Sequence, residues 1–239
     1  WVSTGGVMVT SMSSGLELNS DTCITTRGLD KTLVLNASSA NGVTGVIDLN
    51  RGARVFTASG KLTVSAYRAT SGATMLNASK ALVVTMTDMW TAMNGNLTAR
   101  TAATMTIDAN MQTNSSGSVS LTSTGVLTIA DGKVLRSADH ATIASSSTSS
   151  GAIVVHAMKA IVLTGAWTAS GSVIATSIDA GVIINSDMTT TGSSKDLAIY
   201  GHASTGYVVL SGDRSLTSTG KMFVRAKTIT TAAIAIVAT

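Results

Sequence analysis

Proline is absent from this chain of 239 residues, and cysteine occurs once. A lone Cys23 excludes an internal disulfide framework, so noncovalent packing must hold the fold together. The lack of proline removes the residue that most often interrupts a hydrogen-bonded strand ladder. Aromatic residues are scarce too, with three Trp, three Tyr and two Phe, so the core must be assembled from Val, Ile, Leu, Met and Ala. Charged residues make up 12% of the chain, about half the usual quarter. The net charge of +4 is dispersed, with no Lys/Arg cluster and no interleaved aromatics, which argues against a nucleic-acid partner. Apolar runs such as 232–238 fall far short of the ~20 residues of a spanning helix, so no membrane span is expected.

What the chain does contain is a returning phrase. "FTASGKLTVSA" (56–66), "LTSTGVLTIAD" (121–131) and "LTSTGKMFVRA" (216–226) share small hydroxyls, a glycine and alternating apolar residues. Taking the first core residue of each phrase as an anchor places anchors at Val7, Leu33, Leu62, Leu82, Met105, Leu127, Ile153, Val173, Leu197 and Met222. Two residues beyond each stands a second small or aliphatic residue, the period of a strand with one buried face. Two residues before many of them stands a glycine, among them Gly60, Gly125, Gly151, Gly171 and Gly220, where a corner needs positive φ or a close backbone approach. Shorter alternating runs at 46–50, 73–79, 118–123, 181–186 and 207–212 lie between the anchors, and no window shows capped helical periodicity. The expectation is an all-β, single-stranded parallel β-helix of about ten coils of ~24 residues, two or three strands per coil. Stacked at ~4.8 Å, ten coils make a rod about 48 Å long.

The phrases "TASGKLTVSA", "TSTGVLTIAD", "TASGSVIATS" and "TSTGKMFVRA" resemble the repeats of filamentous-haemagglutinin-type β-helices in large secreted adhesins. The resemblance implies a right-handed solenoid, an extracellular or cell-surface location, and a structural or adhesive role. Residues 1–239 are read as one β-solenoid domain or a segment of a longer chain. The start at Trp1, without a leader, suits a processed product or a piece of a larger polypeptide.

Catalytic signatures are thin. The twelve acids are scattered without an Asp-Asp or Glu-x-Asp pair, so no acid/base carboxylates can be nominated from spacing. His140, His156 and His202 stand far apart and read as solvated loop residues, and Cys23 reads as a small strand residue. No phosphate-cradling loop or calcium nonapeptide occurs, so no cofactor or metal is expected. Four Asn-x-Ser/Thr sequons begin at Asn36, Asn77, Asn96 and Asn114, which permits glycosylation of a secreted chain.

One constellation remains. Three and five residues before the anchors, Thr57 and Ser59, Thr122 and Thr124, Thr148 and Ser150, Thr168 and Ser170, Thr217 and Thr219 repeat a Thr-x-Ser/Thr motif. Stacked outward, such hydroxyls resemble the ice-binding faces of antifreeze solenoids; alternatively they are ordinary exposed strand residues hydrogen-bonded along a ladder. The functional expectation is a non-enzymatic extracellular rod that associates end to end or with neighbouring solenoid segments. The alternatives are ice binding and, third, a polysaccharide-active β-helix enzyme; a glycan or an ice surface is the external partner considered.

Overall fold

Alternating apolar residues in runs of four or five give strands that each bury one face, and such a strand must find a coil to cover it. The computed structural model describes residues 1–12, 15–18, 23–37, 45–49, 52, 54–202 and 204–238. Among these there is no helix, 68% of residues are in strands, and the sheet is all-parallel, with stacked coils about 22 residues apart forming a β-solenoid of about 10 turns.

Each turn has three faces. The first face stacks Val2–Ser3, Cys23–Thr26, Arg54–Ala58, 74–78, 97–101, Val119–Ser123, 141–144, 161–164, Val182–Asn185, Tyr207–Leu210 and Thr228–Thr231. The second stacks Val7–Ser11, Leu33–Ala37, Leu62–Ala66, 81–86, 104–108, Val126–Ile129, 147–150, 166–169, Met188–Thr190, Arg214–Ser218 and Ile234–Ala238. The third stacks Gly15–Glu17, Val46–Asp48, 68–71, 89–92, 110–113, Lys133–Ser137, Ile153–Ala157, Val173–Ser177, Leu197–Tyr200 and Met222–Arg225.

The expected anchor ladder is real in its first part and displaced in its second. Val7, Leu33, Leu62, Leu82, Met105 and Leu127 stand directly above one another inside the second face. Above Leu127, however, comes Thr148 and then Trp167, not Ile153. Ile153, Val173, Leu197 and Met222 form a separate ladder inside the third face. The cause is that the phrase marks a corner, and two corners share it. At 56–66 and 121–129 it turns the first face into the second; at 147–157, 167–177 and 216–225 it turns the second into the third. Both corners need the same local chemistry, so the phrase changes corner without changing its wording.

That chemistry is visible at the glycines. A Cβ on Gly125 would lie 2.5 Å from the carbonyl oxygen of Ala103, and one on Gly171 would lie 2.2 Å from the backbone nitrogen of Ala152. Neither has positive φ. These corners require close approach of one coil to another rather than left-handed backbone.

The interior is apolar and mainly aliphatic, with Ile24, Phe56, Leu76, Ala99, Leu121, Ile143, Leu163, Ile184 and Leu210 as the middle row of the first face. Two tryptophans point inward. Trp90 donates its Nε1–H to Ser71 Oγ and Trp167 to Ser150 Oγ, each at 3.0 Å, so neither buried indole loses its hydrogen bond. Inward hydroxyls close the strand ends: Thr101 Oγ1 donates to the Lys80 carbonyl at 2.9 Å, Ser123 Oγ to Ala103 at 2.6 Å, Ser177 Oγ to Lys159 at 2.8 Å and Ser218 Oγ to Lys195 at 2.7 Å. The Lys80, Ala103 and Lys195 carbonyls also accept the backbone N–H of Thr104, Gly125 and Gly220, so the hydroxyls add a second bond to carbonyls at the corners. Arg54 is the large charged exception in the core, its guanidinium donating to the Leu18 carbonyl at 3.0 Å.

Candidate functional site

Five stacked copies of Thr-x-Ser/Thr would make one outward row if every copy occupied the same corner. The structure does not bring them into one row. Thr57 and Thr122 face outward on the first face, where their stacked neighbours are Thr25 and Asn77, and Arg100 and Ala144, respectively. Ser59 and Thr124 lie in the corner that follows. Thr148 and Ser150 point inward and are buried on the second face, because Trp167 sits on Thr148 and needs a small neighbour and a hydroxyl acceptor beneath it. Thr168 and Thr217 face outward on the second face, and Ser170 and Thr219 lie in its exit corner.

The register instead assembles a hydroxyl row that the phrase did not reveal. Thr63, Val83, Thr106, Thr128, Ser149, Thr168, Thr189 and Thr217 stack along the outside of the second face. One flanking row runs Ala81, Thr104, Val126, Ser147 and Ala166 and then reaches Asp187, and Asp108 stands on the other flank beside Thr106. The signal for this row was the residue one beyond each early anchor, which an inward-looking search passes over.

The outside of the third face carries the charge. One row runs Glu17, Asp48, Thr70, Thr91, Gln112, Arg136, His156, Thr176, Tyr200, Arg225. Its acidic members stand at one end and its cationic ones in the other half. Beside it, Val134, Val154, Ile174, Ala198 and Phe223 form an outward apolar row. His156, expected in a solvated loop, lies on a strand, partly covered by its neighbours. His140 and His202 do sit between strands, the His202 ring nitrogen Nδ1 within 2.8 Å of Thr205 Oγ1. Glu17 and Asp48 are carboxylates that stacking brings together although 30 positions of chain intervene in no recognisable motif. With Gly15, Leu16 and Val46 they line an open depression of about 210 Å³.

A second polar cluster locks the corner between the third and first faces. Asp139 Oδ1 pairs with Lys159 Nζ at 2.7 Å, Ser118 Oγ donates to Asp139 Oδ2 at 3.2 Å, and His140 Nε2 lies 3.9 Å from Oδ1. The hydrogen bond from Lys159, with the charges of His140 and Lys159 and the Ser118 hydroxyl, holds the Asp139 carboxyl below its ordinary value, against the opposing effect of burial. Ser118 donates to a carboxylate rather than to an imidazole, so the cluster holds no activated nucleophile. It ties one coil to the next.

Cys23 is exposed on the outside of the first face, beside Val55 of the next coil. Of the sequon residues, Asn36 and Asn77 face outward on strands, while Asn96 Oδ1 accepts from the Ser118 N–H at 2.8 Å and Asn114 Oδ1 accepts from Gln112 Nε2 at 2.8 Å. Among the described residues no group of three or more His, Cys, Asp or Glu side chains is placed to hold a metal ion, and no helix is long and apolar enough to cross a membrane. No protein-family model matches the chain, and neither a curated protein nor a solved structure shows significant similarity to it.

Proposed function

We propose that this protein is a non-enzymatic, extracellular structural solenoid, a rod whose exposed apolar strand edge at Thr228–Thr231 and Ile234–Ala238 stacks on another solenoid segment. One observation carries the reading. Inner-row positions that are 0% exposed at Val208 and Leu216 become 49% exposed at Ile229 and 57% at Ile236, the residues stacked on them in the last coil. An apolar interior row and the N–H and C=O groups of Thr228–Thr231 and Ile234–Ala238 thus face outward along the rod axis, the geometry that strand addition uses. The resemblance of the repeats to filamentous-haemagglutinin-type β-helices supports the same reading. The test is electron microscopy with sedimentation over a range of concentrations. Rods longer than one copy are expected, and Ile229→Asp with Ile236→Asp should shorten them to the single-copy length. Short particles at every concentration, unaltered by the substitutions, would defeat the proposal.

A second reading is favoured by the outward row from Thr106 to Thr217. Its hydroxyls and methyls repeat at the ~4.8 Å coil spacing, with the carboxylates of Asp108 and Asp187 at its flanks, a lattice suited to ordering water at an ice surface. Thermal hysteresis lost on Thr128→Tyr and Thr168→Tyr, with circular dichroism unchanged, would support ice binding; no hysteresis in the parent protein rules it out.

A further inference from the structure

We propose that the outside of the third face is a homodimer interface, on which a second copy packs with its rod axis reversed. In the row from Glu17 to Arg225 the carboxylates stand at one end and the guanidinium groups in the other half. A two-fold axis parallel to the strands keeps every row opposite itself but reverses it along the rod. Glu17 then meets Arg225 of the other copy, and Asp48 meets its Tyr200, whose hydroxyl is a donor for a carboxylate. Arg136 and His156 meet Gln112 and Thr91, so cation is not set against cation. A parallel arrangement of the rods would lose this complementarity, because Arg225 would lie level with Arg225 and Glu17 with Glu17.

Shape agrees with charge. In the adjacent row Phe223 stands at one end, 43% exposed, and Gly15 at the other, in register with Val46. The same two-fold operation brings Phe223 of one copy over Gly15 of its partner. The depression of about 210 Å³ bounded by Gly15, Leu16 and Val46 lies there, with Glu17 and Asp48 on its rim. The aromatic ring lies over a hollow that Glu17 and Asp48 line together with Gly15, Leu16 and Val46, while the adjacent Arg225 reaches the Glu17 carboxylate. Between the two ends the same operation sets Val154 against Met89 of the other copy, Val134 against Asn110, and Ile174 against the aliphatic stem of Arg68. The face is about 48 Å long and about 16 Å wide, a footprint of roughly 800 Å² per copy, the size of a standard stable interface. The strands Lys133–Ser137, Ile153–Ala157, Val173–Ser177, Leu197–Tyr200 and Met222–Arg225 contain no carboxylate; Lys133 pairs with Asp108 at 2.8 Å, and Arg225 is the cation that this half offers to Glu17 of the other copy.

The contact is closed and pairs two copies, whereas stacking at the open edge produces an unlimited series, and sedimentation equilibrium separates them. The experiment compares the parent protein with Glu17→Arg, Arg225→Glu and the double exchange, all in the Ile229→Asp, Ile236→Asp background that blocks end growth. The parent is expected to dimerise, each single exchange to weaken the dimer at least tenfold, and the double exchange to restore it, since it recreates both cross-pairs with their signs reversed. Phe223→Ser should weaken it as well, whereas Arg100→Glu on the first face should leave it unchanged. A monomeric parent, a dimer indifferent to the single exchanges, or a double exchange no better than either single would overturn the proposal.

Discussion

At the scale of single residues, small side chains do the work that size does elsewhere. Gly125 and Gly171 are needed because another part of the backbone occupies the space of a Cβ. Replacing Gly171 by Ala is expected to destabilise the protein by about 1–3 kcal/mol, the range for overpacking a site that cannot open, measured by denaturant unfolding. Asp139 makes a prediction with a sign. Its folded carboxyl is held below the ordinary value, so its contribution to stability is present above about pH 3.9 and is lost as the pH falls through the lowered folded value. Asp139→Asn should therefore lower the melting temperature at neutral pH, with the difference shrinking as acid protonates the parent's carboxylate. A difference that grows with acidity would contradict this account. The indole pairing of Trp167 with Ser150 reads similarly: Ser150→Ala leaves a buried N–H without an acceptor and should cost about 1–3 kcal/mol.

At the scale of the strand, stability depends on which side of the sheet a residue occupies. Leu82 is buried between Leu62 and Met105, and its truncation to Ala is expected to cost about 2–5 kcal/mol. Thr106 lies one position beyond Met105, on the outer side, and its change to Ala should stay within about 0.5 kcal/mol. Equal effects at the two positions would mean that the register is wrong by one residue. The strand scale also explains what the repeating phrase concealed. Strand, corner glycine and strand are local and were legible; the identity of the corner was not. Between Leu127 and Ile153 the phrase moves from one corner to the next, and only the hydrogen-bonded register, Leu127 against Thr148 and Lys133 against Ile153, exposes the change. The proposed hydroxyl row split for the same reason, since Thr57 and Thr168 belong to different corners.

For the whole molecule, a solenoid is close to one-dimensional: each coil is stabilised by its neighbours alone. Central coils have a partner on both sides, while among the described residues the coil formed by Thr228–Thr231 and Ile234–Ala238 is paired on one side. Native-state hydrogen exchange should therefore show the strongest protection in the inner strands between 82 and 184 and the weakest in the last coil. Addition of further coils at that edge should raise its protection toward the central value. The lateral face adds a second dimension to assembly, with its sign pattern spread over a row of ten coils.

The sequence by itself determined the architecture. Period-two alternation selects strands, recurrence near two dozen residues selects stacking, and the absence of proline leaves the ladder intact. It also placed Leu62, Leu82, Met105 and Leu127 on one axis. Only the tertiary structure decided which strands share a face, because every corner is built from the same small residues and stacked neighbours are separated by a whole coil. Glu17 beside Asp48, the outward threonine row and the charge order from Glu17 to Arg225 all arise from pairing across coils. No local pattern encodes them, since each is the sum of loop lengths that vary from turn to turn.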